Sequence, residues 1–142
     1  MTALFTIFLL LAQAAPTSLD QLRAEPNLER RAKMAIEFAM AAERAAEAAY
    51  SKSDMAGLTA ELKDMQMGVE IAQESFAQTG RTPQRHPGPY KSAELRTQEM
   101  LVRLGDLEKR MDADERQVVT GPRAKVQEIH DAWFEGIMGK KK

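Results

Sequence analysis

The chain has no cysteine, and only 6% of its residues are aromatic. Without thiols there is no disulfide scaffold, thiol nucleophile, cysteine-attached haem, thiolate zinc site or lipid-modified cysteine. An excess of charge is missing too: 20 Lys+Arg nearly cancel 21 Asp+Glu, which leaves no broad positive field for nucleic acid. There is no run of alternating β-branched residues and no Asn-Gly or Asp-Gly pair, so nothing signals a strand or hairpin. The phosphate-cradling patterns Gly-x-x-x-x-Gly-Lys and Gly-x-Gly-x-x-Gly are also absent. No serine (18, 51, 53, 75, 92) adjoins a histidine, and helical bundles seldom supply a strained nucleophile turn with oxyanion donors. What is present is a 44% hydrophobic chain of 142 residues, too apolar to be disordered. That length suits one domain burying roughly two-thirds of its unfolded surface.

Residues 3–15, ALFTIFLLLAQAA, stand apart as an apolar run. At about 1.5 Å per helical residue they are too short to cross a ~30 Å hydrocarbon core. The length fits the apolar segment of a secretory signal, and Ala12-Gln13-Ala14 supplies the small–x–small pattern of a cleavage site. Pro16 would lie just beyond that cut. No Lys or Arg precedes the run, so the terminal amine is its one positive charge. The expectation is a signal peptide over 1–14, an N-terminal arm over 15–26, and an exported chain, periplasmic or extracellular, with no stable membrane span.

From residue 27 apolar positions recur at helical spacing. Asn27 after Pro26 suits an N-cap for a helix over 28–51, whose polar face carries Glu29, Lys33, Glu37, Arg44 and Glu47. Nine alanines between Ala32 and Ala49 allow a neighbouring helix to approach closely. A second helix over 54–78 carries Met55, Leu58, Leu62, Met65, Val69, Ala72 and Phe76 at alternating steps of three and four. A linker over 80–90 follows, with three prolines in seven residues that cannot continue a helix and stiffen the connection. A third helix over 91–111 presents Ala93, Thr97, Met100, Leu104, Leu107 and Met111. The fourth, over 114–138, presents Val119, Pro122, Val126, Ile129 and Trp133, with a kink or split expected at Gly121-Pro122. Residues 139–142 form a basic tail. Two short turns and one long linker predict an all-α fold: an antiparallel four-helix bundle over 27–138, built from two helical hairpins. Two hairpins that close only on dimerisation are the alternative.

Few side chains point to chemistry. The arrangement resembles the soluble b-type cytochromes, which are small exported four-helix bundles. That resemblance implies Met34 and His130 as haem ligands. The plainer reading of His130 is a boundary histidine packed on Trp133 with one nitrogen wet, and no cofactor is expected. Glu128 lies two residues before His130, not the three that a carboxylate-bridged di-metal bundle uses, so no metal site is expected. Met65-Gln-Met67 has the spacing of Cu(I)-binding segments, but its sulfurs point about 200° apart on a helix, and Met65 sits on the apolar seam, where methionine is an ordinary filler. Leu58-Thr-Ala-Glu-Leu62 resembles one Leu-Thr-x-x-Gln repeat of the exported helical stress chaperones, with Leu62 at the glutamine position.

Charge is more suggestive. The second helix carries Asp54, Glu61, Asp64, Glu70 and Glu74 against Lys63, whereas Arg81, Arg85, His86 and Lys91 in and beside the linker have no acid among them. They are candidates for partner binding. The expectation is a structural, adaptor or chaperone-like interaction module, not an enzyme, with a cofactor-binding bundle as the alternative. Its partner would be another protein or an anionic envelope component, with a homodimer as a further option.

Overall fold

The structure, a computed structural model, describes residues 18–139. The expected signal peptide, residues 15–17 of the expected arm and Lys140–Lys142 of the basic tail lie outside the described residues. Among the described residues the chain is all-helical: α1 (Leu19–Ala24), α2 (Leu28–Ser51), α3 (Met55–Gln78), α4 (Pro87–Lys109) and α5 (Ala113–Met138). The helices number five, not four, because the expected arm contains α1. Ser18 caps it by accepting from the Gln21 amide, and its Leu22 is completely buried among the core residues.

Three of the long helices begin where a side chain takes up a first-turn amide, a group with no intrahelical acceptor. Asn27 accepts from the Arg30 amide at 2.9 Å and Asp54 from that of Gly57 at 2.9 Å. Asp112 and Glu115 cap α5 reciprocally. The fourth start corrects the sequence reading. α4 opens at Pro87, within the expected linker of 80–90, and it closes at Lys109. Prolines cannot continue a helix, but in its first turn their missing N–H costs nothing and their fixed φ suits the helix. The true connection is residues 79–86. Of the kink or split expected at Gly121-Pro122, the split does not occur: α5 runs through as one helix. Val119, Val126, Ile129 and Trp133 are buried on both sides of Pro122, so the helix is held across its one missing amide.

Residue pairs give the arrangement. Glu29 meets Arg81, and Gly68 faces Ala35, so positions on α2 and α3 are matched in opposite senses. Glu94 with His130 and Glu108 with Arg123 relate α4 and α5 in the same way. Across the two pairs the sense is shared: Met40 meets Arg96, Glu47 meets Arg103 and Tyr50 meets Arg110. α2 and α4 are therefore neighbours that start at the same end, and α3 packs on α5. The α2 and α5 backbones do not approach each other. The 79–86 connection has to cross the end of the bundle to achieve this.

Glycine and alanine set the α2–α3 spacing. A β-carbon on Gly68 would lie 3.0 Å from the Ala35 carbonyl oxygen and 3.1 Å from both Ala39 and Phe38. One on Gly105 of α4 would meet only the Arg123 guanidinium, at 3.5 Å. Gly68→Ala should therefore lower stability by about 1–2 kcal/mol despite its better helix propensity, because the tightest contact is with backbone. Gly105→Ala should raise it by up to about 1 kcal/mol. Urea denaturation of the two variants checks this, and a stabilised Gly68→Ala chain would disprove the tight α2–α3 contact.

Candidate functional site

The end of the bundle where the connection crosses is built on an aromatic cluster. Phe76 stacks on Tyr90 with centroids 4.5 Å apart, and Trp133 meets Phe76 edge-on at 5.7 Å. The Tyr90 hydroxyl donates to the Arg81 carbonyl at 2.7 Å, tying the connection to the start of α4. Pro83 lies so close to Gly136 that a β-carbon there would come within 2.8 Å of its ring. The crossing segment is thus pinned to α3, α4 and α5.

The structure separates the four basic candidates of this region. Arg81 is engaged, its guanidinium 3.2 Å from the Glu29 carboxylate. Arg85 and Lys91 are exposed, and neither has an ion pair among the described residues. His86 is exposed at the N-cap of α4, where its backbone N–H donates to the Thr82 carbonyl while its side chain makes no capping bond.

Beside this platform, between the first three turns of α2 and α4, lies a cavity of about 500 Å³. Ile36, Phe76 and Ala93 form its apolar wall, and Arg30, Lys33, Arg96 and Glu29 its charged lining. The amino-terminal ends of two helices converge there, and their dipoles add to the positive potential.

Below the cavity the α2–α4 seam is polar. Arg96, Arg103 and Arg110, seven residues apart, face Met40, Glu43, Glu47 and Tyr50. Arg103 lies 3.0 Å from Glu43 and 2.6 Å from Glu47, and Arg110 lies 3.8 Å from Glu47. The Tyr50 hydroxyl bonds to the Arg110 carbonyl at 3.0 Å. Arg96 has no carboxylate partner among the described residues: its guanidinium meets the Met40 sulfur at 3.6 Å. Glu43 is 1% exposed, and its Oε1 has no hydrogen-bond partner. Burial pushes the Glu43 carboxyl up to about 7, with the Glu47 charge adding to the rise and Arg103 opposing it.

His130 lies away from this seam, half-buried between α4 and α5. Its Nε2 is 2.9 Å from Glu94 and its Nδ1 is 3.0 Å from Asp131. The His130 hydrogen bond, helped by Gln127, holds the Asp131 carboxyl below the usual range. The ring stacks on Phe134 at 6.2 Å, and no nitrogen is left without a partner, unlike the expected one-sided packing on Trp133. Met34 is half-buried on α2, whose backbone does not approach α5, so the structure does not bring Met34 and His130 to one cavity. Met65 is fully buried in the core. Among the described residues no group of three or more His, Asp or Glu is placed to hold a metal ion. Val102, Leu95, Phe134 and Met138 are large apolar side chains left exposed on α4 and α5.

No family model, curated protein or solved structure matches the chain.

The sequence reading put Lys33 on a polar helix face without a binding role and passed over Arg30, Arg96, Glu43 and Glu94. Two had a signal. Glu43 keeps step with Ile36, Ala39 and Ala46, and Glu94 with Tyr90, Thr97 and Leu101, so both belong to buried stripes.

Glu43 gives a pH dependence. Its folded value lies above the usual 4.5, so the fold binds this proton more tightly than the unfolded chain does. That contribution is complete below about pH 4.5 and is lost as the pH rises to about 7. The thermal midpoint should fall across this window, and Glu43→Gln should remove much of the fall. Parallel curves for the two proteins would contradict the assignment.

Proposed function

We propose that the protein is an exported helical-bundle interaction module, adaptor or chaperone-like rather than catalytic. In this reading it grips an anionic component of the cell envelope with the end of the bundle that the 79–86 connection crosses. One observation carries the reading. Arg85 and Lys91 stand exposed, without carboxylate partners among the described residues, on a segment that Tyr90, Phe76 and Pro83 hold in place. Cations on a fixed platform lose less freedom on binding than cations on a loose loop. Arg30 and Lys33 are exposed at the same end. In sequence, three lysines follow Gly139, which lies against Gln84 of the connection. No helix among the described residues is long and apolar enough to cross a membrane, so the contact in this reading is made at a surface.

The chain beginning at Ala15 should sediment with phosphatidylglycerol vesicles in preference to phosphatidylcholine vesicles, and salt should weaken the association. Each cation near an anionic surface is worth about 1 kcal/mol, so Arg85→Gln with Lys91→Gln should lower the partition coefficient about 30-fold. Equal partitioning of the double variant, or no preference for the anionic vesicles, would refute the proposal.

A further inference from the structure

The α2–α4 seam repeats an arginine three times, and the repeats are not equivalent. Arg103 is held between Glu43 and Glu47, and Arg110 has Glu47. Arg96, one heptad earlier, faces Met40 where its counterparts face glutamate. A thioether is a weak acceptor and carries no charge. Arg96 is nevertheless half-buried, where a cation without an anion is costly. Its position answers the question of what completes this rung, because Arg96 lines the cavity of about 500 Å³.

We infer that this cavity is a binding site for a single-tailed amphiphile with one anionic headgroup, its head on Arg96 and its tail against Ile36, Phe76 and Ala93. The volume lies within the roughly 300–1,000 Å³ of small-molecule sites, and an apolar wall with a few convergent polar groups is their usual lining. The charge balance favours an anion. Lys33 has no ion pair among the described residues, and the contact of the exposed Arg30 with Glu25 is long, at 3.8 Å. Glu29, the carboxylate of the lining, is drawn off by Arg81 at 3.2 Å. A planar guanidinium presents paired donors to a carboxylate or phosphate oxygen pair. A neutral ligand of the same shape leaves Arg96 as it is, and a headgroup without a tail leaves most of the cavity unfilled. This site is separate from the proposed surface contact: it takes one molecule, beside the Arg85 and Lys91 platform.

Calorimetric titration of the chain beginning at Ala15 with decanoate, below its micellar concentration, tests the inference. Saturable one-to-one binding is expected, at least tenfold tighter than for decanol or decyltrimethylammonium, with none detected for acetate. Inorganic phosphate and decyl phosphate separate headgroup from tail for the other anion. Arg96→Gln should weaken decanoate binding tenfold or more. Arg96→Lys should restore part of the loss. Lys33→Gln changes an exposed residue that cannot disturb the core, and it should weaken binding severalfold. The double variant Arg85→Gln, Lys91→Gln should bind decanoate as the parent chain does. No saturable binding to the folded parent chain, unchanged affinity in both Arg96→Gln and Lys33→Gln, or loss of binding in the double variant would overturn the site. Vesicle association that persists without decanoate binding would defeat this inference alone. Decanoate binding without vesicle association would defeat only the surface proposal.

Discussion

Eight residues, Thr79 to His86, decide which helices become neighbours. Had the chain returned directly from α3 to an adjacent position, every lateral contact in the bundle would pair helices of opposite sense. Because the segment crosses the end of the bundle, α4 lies along α2 and both begin at that end. The crossing is held from below by the Phe76, Tyr90 and Trp133 rings and from the side by Pro83 on Gly136. Two helix starts, the cavity between them and the exposed cations of the connection all come together through this geometry.

The same geometry accounts for the polar seam. Helices of shared sense keep a constant offset along their contact, so residues repeating every three, four and seven positions on α2 and α4 stay matched. Met40, Glu43, Glu47 and Tyr50 thereby meet Arg96, Arg103 and Arg110 in order. The apolar core draws on all five helices, and burial of this kind is the dominant favourable contribution to folding. The seam contributes register instead: it defines which turn of α4 opposes which turn of α2. Its cost is visible at Glu43, a buried carboxyl with one oxygen lacking a partner, whose affinity for a proton is raised by that burial.

Much of the fold was legible in the sequence, and for clear reasons. The stripe from Met55 to Phe76 is long and regular, and Asn27, Asp54 and Asp112 mark helix starts by a direct chemical mechanism. α1 was not legible, because Leu22 is one deeply buried residue in a six-residue helix too short to show a period. Pro87 and Pro89 misled for the opposite reason: proline forbids a helix interior but favours its first turn, and spacing alone does not tell which applies. Glu43 and Glu94 were visible in principle, since each occupies a core position, but a charged residue is easily assigned to the wet face. The cavity was beyond reach. Its lining comes from α2, α3 and α4, and it exists only because of a neighbour relation that loop lengths do not determine.

Nuclear Overhauser contacts between assigned side chains test whether α2 and α4 lie side by side in the same sense. Cross-peaks are expected from the Glu47 methylenes to the Arg103 side chain and from the Tyr50 ring to that of Arg110. Contacts from the Glu47 methylenes and the Tyr50 ring to the residues around Pro89 and Lys91, at the start of α4, would mean the opposite sense. That result would remove the cavity, the seam and the basic end together.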